Sequence, residues 1–153
     1  MKKIVILLGM IFSLLLVGCS SVDDQVDEAI RDYAEYFSNV STMLLTQSDS
    51  DINKAKNYFN KVSSELDQVY SDLQKEDEEA AAIVGQLVNA SYTLDTYIIN
   101  SAENGYSQTS IIHEMMQYIS NAEMLYEGYY GEANEVLIQV IDLIKSGIES
   151  NLF

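Results

Sequence analysis

Several residue types are absent or rare in this chain of 153 residues. It contains no proline and no tryptophan, and it has one cysteine, Cys19, and one histidine, His113. Without proline, no residue forces a break in a helix, and a lone cysteine cannot form an intrachain disulfide. Ferritin-like di-iron sites need a Glu-x-x-His motif on each of two helices, and zinc sites need several His or Cys ligands. Both kinds of site are excluded by count.

Basic residues are also scarce, with 8 Lys and Arg against 24 Asp and Glu. Phosphate binding depends on clustered Lys and Arg, so the composition argues strongly against nucleic acid as a partner. The acids are spread along the chain apart from the run 76–79, and we interpret them mainly as a solvated surface. Attraction to a basic partner or to divalent cations is the alternative.

A catalytic constellation is missing from the sequence. There is no Gly-x-Ser-x-Gly turn to present a nucleophile and no Gly-rich phosphate loop. We expect His113 to lie on a helix surface and Met115 and Met116 to fill the core rather than bind copper. The run 76–79 lacks the ligand spacing of an EF-hand calcium loop and is better explained as a helix N-terminus. The sequence therefore predicts no enzyme, no cofactor and no metal site.

The N-terminal residues form the most specific pattern. Lys2 and Lys3 precede an apolar run over 4–17, which is shorter than the roughly 20 residues that span a bilayer as a helix. The run ends in Leu16-Val17-Gly18-Cys19. This segment resembles a bacterial lipoprotein signal peptide with its lipobox. The resemblance covers residues 1–21 only, and an ordinary secreted protein with an incidental cysteine is the alternative.

The resemblance implies cleavage before Cys19 and acylation of Cys19, for example with palmitate. The protein would then be lipid-anchored on the extracytoplasmic face of the cell membrane. We expect three parts: a cleaved signal peptide (1–18), a lipidated N-terminus with a very short tether (19–21), and a single acidic helical-bundle domain (22–153). Without Lys2 and Lys3, 24 acidic residues face six basic ones, a formal balance of −18.

Apolar residues spaced by threes and fours predict helices throughout the mature domain. The first is expected over 22–46, with Ser21 and Asp24 as a capping-box variant, and a turn follows at 47–50. The second is expected from Asp51, with Ser48 or Ser50 as its cap. Its register continues past residue 75, so one helix of about fifty residues is an alternative. We favour a break or sharp bend near 75–78, because a compact domain of this size has little use for an ~80 Å rod.

The later helices are separated by glycines. A turn at 103–106 precedes a helix capped by Ser107 or Thr109. A break is expected where Gly128 and Gly131 bracket two tyrosines, and the most apolar helix is expected over 132–150, central or packed on two sides. The predicted fold is all-α, an antiparallel bundle of about four to five helices, or three if some breaks are only bends.

Tyrosine is enriched, with eleven residues. Tyrosine offers rigid apolar area with a polar tip and is favoured at recognition surfaces. The candidate interaction patch consists of Tyr118, Tyr126, Tyr129 and Tyr130. The alternative is that these rings line the rim of the bundle with their hydroxyls in water.

Two functional hypotheses follow. The leading one is a non-enzymatic, membrane-anchored module that contacts another envelope or secreted protein. A prophage or mobile-element lipoprotein is one version, which no residue favours over a housekeeping role. The alternative is an extracytoplasmic bundle that binds a small ligand or a cation. The sequence does not decide whether the protein forms a homo-oligomer, because the apolar stripes can pack together within one chain or between chains.

Overall fold

The structure is a computed structural model that describes residues 21–46, 49–104 and 109–150, with side chains except at 42–49 and 101–109. These residues form five helices and no strand, which confirms the all-α prediction. The helices are α1 (Val22–Thr46), α2 (Asp49–Glu76), α3 (Glu78–Asn104), α4 (Thr109–Tyr130) and α5 (Glu135–Glu149).

The apolar stripes read from the sequence form one contiguous core. Residues spaced by threes and fours lie on one side of a helix, so each helix buries one stripe and exposes its polar side. Representative fully buried side chains from the helices in chain order are Ile30, Tyr33, Leu66, Leu73, Ile83, Leu87, Leu94, Ile112, Ile119, Leu137 and Ile144.

A reciprocal capping box begins α1, as predicted. The Asp24 amide donates to Ser21 Oγ at 3.1 Å, and the Ser21 amide donates to Asp24 Oδ2 at 3.2 Å. Each side chain thereby satisfies a backbone donor that the first helical turn leaves unpaired. The helical backbone therefore starts at once after Ser21.

A single residue, Asp77, separates α2 from α3, which confirms the predicted break and excludes one long helix. The Asp77 amide still donates to the Leu73 carbonyl of α2, while its own carbonyl accepts from the Ala81 amide of α3. The chain reverses here, because Tyr92 of α3 donates a hydrogen bond back to Asp67 of α2. The two helices thus form an antiparallel hairpin.

Two other boundaries differ from prediction. Helix α2 begins at Asp49, two residues early, so Ser50 lies inside the helix and is not its cap. Gly128 lies within α4, and only Gly131 marks the break, with φ of 77°. Residues 47–48 and 105–108, which include the proposed cap residues Ser48 and Ser107, lie outside the described residues.

Helix α5 begins three residues later than predicted because Asn134 caps it. The Asn134 side chain accepts from the amides of Val136 and Leu137 at 3.0 and 3.1 Å. Of the two positions predicted for this helix, central or packed on two sides, the structure shows the second. Helix α5 packs on two sides, against α1 and α4, but it is not central and exposes Ile138 and Leu143.

The centre of the bundle is occupied by α3, which contacts α1, α2 and α4. Helices α1 and α2 are antiparallel, as Tyr36 packs against Phe59 with ring centroids 6.3 Å apart. Helices α3 and α4 are antiparallel too, since Tyr129 reaches Asp77 and Asn121 reaches Gln86. Among the described helices, none combines the length and apolarity needed to cross a bilayer.

The two glycines that bracket the end of α4 should respond to alanine in opposite directions. Gly128 is helical, and nothing lies within 4 Å of a Cβ placed there, so Gly128→Ala should raise the free energy of unfolding by about 1 kcal/mol. Gly131 has positive φ, so Gly131→Ala should lower it by about 1 kcal/mol. Urea unfolding followed by circular dichroism measures both changes. Equal effects of the two variants would contradict the assigned end of α4.

Candidate functional site

Three of the four tyrosines in the predicted patch come together at the C-terminus of α4. The ring centroid of Tyr130 lies 4.3 Å from that of Tyr126 and 4.7 Å from that of Tyr129, the latter pair edge to face. All three are half-buried and pack against the core. They form an inter-helix cluster with restricted exposure, not a flat aromatic surface.

Tyr118 is separate from this cluster. It lies two turns earlier on α4, where its hydroxyl donates to Glu114 Oε1 at 3.4 Å. The sequence pattern grouped it with the others because all four share one helix. The structure groups only the three that face the end of the bundle.

Asp77 links the tyrosine cluster to the α2–α3 junction. Its Oδ1 accepts from the amides of Glu79 and Ala80 at 3.1 and 3.0 Å, which caps α3. Its Oδ2 accepts from the Tyr129 hydroxyl at 2.7 Å. These hydrogen bonds, led by that from the Ala80 amide, lower the pKa of the Asp77 carboxyl. The hydrogen bond between Tyr129 and Asp77 also raises the pKa of the Tyr129 hydroxyl.

The other two tyrosines face α1 and the start of α5. Burial chiefly raises the pKa of Tyr126, and a hydrogen bond with Asn134 opposes that rise. Burial and the nearby Asp23 carboxylate raise the pKa of Tyr130. The Tyr130 hydroxyl is buried, and Asp23 does not reach it with hydrogen-bond geometry, so that hydroxyl has no partner in the described part of the chain.

A cleft of about 450 Å³ opens beside Tyr126, between α1 and the start of α5. Its lining combines carboxylates, one cation, an aromatic ring and apolar side chains: Asp24, Asp27, Ile30, Arg31, Tyr126, Ala133, Asn134, Glu135 and Val136. Carboxylates outnumber the single arginine, so the cleft suits a positively charged group. An aromatic wall beside carboxylates is favourable for an organic cation.

The cleft and the tyrosine cluster share one end of the bundle, here named the Cys19 end. It comprises the start of α1, Asp77, the last turn of α4 and the start of α5. Cys19 lies outside the described residues, but it precedes Ser21 by two positions.

Among the described residues, no group of three or more His, Cys, Asp or Glu side chains converges to hold a metal ion. His113 is exposed on α4, where the sequence placed it.

A second polar feature lies inside the core. Tyr33 and Tyr36 of α1 are fully buried, and neither hydroxyl has a hydrogen-bond partner in the described structure. Their rings meet edge to face with centroids 6.4 Å apart. A buried hydroxyl without a partner costs about 1–3 kcal/mol, so the aromatic packing must exceed that cost.

Sequence reasoning missed the cleft, because its residues come from distant segments. Asp24 and Asp27 look like helix-start acids, and Asn134 was placed inside the last helix. The informative signal in the sequence is Gly131 followed by Asn134. Glycine readily adopts positive φ, and asparagine is a good N-cap, so the pair marks a turn before a new helix. This turn brings α5 back to α1. The acid run 76–79 is predicted to be a helix N-terminus, which holds for Asp77, Glu78 and Glu79, whereas Glu76 is the last residue of α2. The hydrogen bond between Asp77 and Tyr129 is not visible in the sequence.

Comparison with protein-family models, with curated proteins and with solved structures finds no match to this chain.

The Asp77 contacts should make stability depend on acid pH. The pKa of the Asp77 carboxyl is lower in the folded state than in the unfolded state. Such a carboxyl stabilises the fold fully at pH values above its unfolded-state pKa, and this stabilisation is lost as the pH falls through its folded-state pKa. We expect Asp77→Asn to lower Tm at pH 7. The difference from wild type should shrink well below about pH 4, where the wild-type carboxyl also becomes neutral.

Thermal melts at pH 7 and pH 3 measure this effect. Tyr129→Phe should lower Tm at pH 7 and add little to Asp77→Asn, since both remove the same hydrogen bond. Glu78→Gln, an exposed neighbour, is the matched control. Fully additive losses from Asp77→Asn and Tyr129→Phe would show that the two residues act independently.

Proposed function

We propose that this protein is a lipid-anchored, non-enzymatic interaction module on the extracytoplasmic face of the cell membrane. The observation that carries the proposal is the capping box at Ser21. Because the helical backbone begins there, almost no flexible tether separates the Cys19 end from the acyl groups. The domain is then held at the membrane surface and meets partners at or near the lipid headgroups.

The charge and shape of the Cys19 end support a basic partner segment. Asp24, Asp27 and Glu135 line the cleft, and Tyr126 supplies an apolar and aromatic wall. Lys or Arg side chains of an envelope or secreted protein fit this combination, since the carboxylates attract the charge and the ring covers the aliphatic stem. Tyr129 and Tyr130 do not line the cleft. They support Tyr126 by ring packing and are less suited to direct contact with a partner protein.

Site-specific photo-crosslinking in living cells tests the proposal. A photoreactive amino acid at Ala133, on the cleft rim, should yield one defined cross-linked partner. The same group at Ser146, exposed near the other end of α5, is the matched control and should yield none. Asp27→Lys should abolish the Ala133 product, because it reverses charge in the cleft without removing a core contact.

Lipid anchoring is measured separately in the same cells. Cys19→Ser should remove incorporation of labelled palmitate and release the protein from the membrane fraction. Equal products from Ala133 and Ser146, or none from either, would overturn the interaction role. Retained palmitate labelling in the Cys19→Ser protein would overturn the anchor.

The alternative is an extracytoplasmic binder of a small ligand or cation, and the cleft volume favours it. The absence of a converging metal-ligand set among the described residues directs this alternative towards small organic cations rather than tightly coordinated metals. A ligand present at 100 times its Kd stabilises the fold by about 2.7 kcal/mol. Thermal shift with a panel of polyamines, Ca²⁺ and Mg²⁺ should then show a rise in Tm that Asp27→Asn removes and Asp142→Asn retains. No shift across the panel would remove this alternative.

A further inference from the structure

The basic side chains of the domain differ in whether a carboxylate accompanies them. Four lysines form ion pairs within their own helices: Lys54 with Asp51, Lys61 with Glu65, Lys75 with Asp72, and Lys145 with Asp142. A fifth, Lys56 of α2, interacts with Asp95 of α3, where it opposes the rise that burial causes in the pKa of that carboxyl. The sixth is Arg31, and within the described residues its guanidinium forms no ion pair and no hydrogen bond.

Arg31 lines the cleft at the Cys19 end, together with two acids of the same helix. Positions 24, 27 and 31 of α1 are spaced by three and four, so their side chains form one stripe along the cleft. Asp27 precedes Arg31 by one turn, an order that normally favours an ion pair. Asp27 instead lies near Tyr126, since burial is the main cause of the raised pKa of Tyr126 and the Asp27 carboxylate adds to it.

The cleft therefore carries groups of both signs at different positions along α1. Asp24 Oδ2 accepts from the Ser21 amide in the capping box, and Glu135 adds a carboxylate from the first turn of α5. The buried Ile30 contributes an apolar part of the lining. The exposed Arg31 guanidinium offers a planar fork of donors that matches a carboxylate in a bidentate contact. An anion-binding group thus lies one helical turn from the nearest cation-binding carboxylate.

We propose that Arg31 binds an acidic side chain of the partner, so that the segment in the cleft carries a basic and an acidic residue two positions apart. Asp27 and Arg31 are separated by about 6 Å along α1 at 1.5 Å per residue. In an extended segment, side chains two positions apart point to the same side and lie about 7 Å apart, whereas adjacent side chains point to opposite sides. This inference rests on the proposed binding of a basic segment in the cleft.

Ligand-observed NMR titrations with synthetic peptides test the inference. The full-length protein is purified from its native membranes in a neutral detergent, and the probe is acetyl-Gly-Lys-Ala-Glu-Gly-amide. In one matched peptide Gln replaces Glu, and in the other the order Lys-Glu-Ala places the two charges on opposite sides. Both should bind about fivefold more weakly than the probe, because each loses an ion pair with Arg31 at an exposed site.

Variants of Arg31 make the result specific. Arg31 is exposed, so its substitution removes the charge without removing a core contact. Arg31→Gln should abolish the preference for the Glu peptide over the Gln peptide. Arg31→Glu should bind acetyl-Gly-Lys-Ala-Lys-Gly-amide more tightly than the probe, because the charge at this position is then reversed. Lys54→Gln removes one charge near the start of α2, at the opposite end of the bundle, and should retain the wild-type preference.

The possible failures distinguish this inference from the proposed function. Equal affinity for the Glu and Gln peptides, or a preference that survives in Arg31→Gln, would overturn the acidic partner residue. If Asp27→Lys still weakened the binding of both peptides, the role of the cleft in binding a basic segment would stand. Failure of every peptide to bind would overturn both proposals. Tighter binding of glycerophosphoethanolamine, which joins an ammonium to a phosphate, would assign the cleft to a lipid headgroup and overturn the peptide segment.

Discussion

The Asp77 carboxylate holds together the end of the bundle on which the rest of the arrangement depends. One oxygen caps α3, and the other accepts the Tyr129 hydroxyl at 2.7 Å. The chain therefore reverses over a single residue and at the same point is tied to the last turn of α4. Tyr129 contacts Tyr130, and Tyr130 contacts Tyr126, which forms a wall of the cleft. One side chain thus positions the hairpin, the tyrosine cluster and, through it, the cleft.

Charge is distributed unevenly over the surface of the bundle. The Cys19 end carries Asp24, Asp27 and Glu135 beside an aromatic wall, which favours cations. The four described lysine ion pairs, Lys54–Asp51, Lys61–Glu65, Lys75–Asp72 and Lys145–Asp142, each join residues of one helix. Ion pairs within a helix are worth a few tenths of a kcal/mol, so packing and caps hold the bundle together.

Local rules accounted for most of the fold. Stripes spaced by threes and fours identified the buried faces, and Ser21 and Asp24 formed the expected capping box. Three residues of the acid run, Asp77, Glu78 and Glu79, marked the start of α3, whereas Glu76 ends α2. The misplaced boundaries have local physical causes. One glycine within a helix costs only about 1 kcal/mol relative to alanine, so Gly128 does not end α4. Asn134 begins α5 because its side chain accepts hydrogen bonds from two amides. For the candidate site, the sequence correctly grouped three tyrosines but could not separate Tyr118, since helical spacing does not show where a bundle ends.

The sequence by itself determined the helical class, the buried stripes, the acidic balance and the lipobox-like motif that precedes the domain. These depend on composition and on neighbours within four residues. Only the tertiary structure decided that α3 is central, that α5 returns to α1, and that Asp77 meets Tyr129 across 52 positions in the chain. The reason is that amphipathic helices specify which side is buried but leave the choice of partner open. That choice depends on the shapes of the packed side chains and on the geometry of the turns between helices.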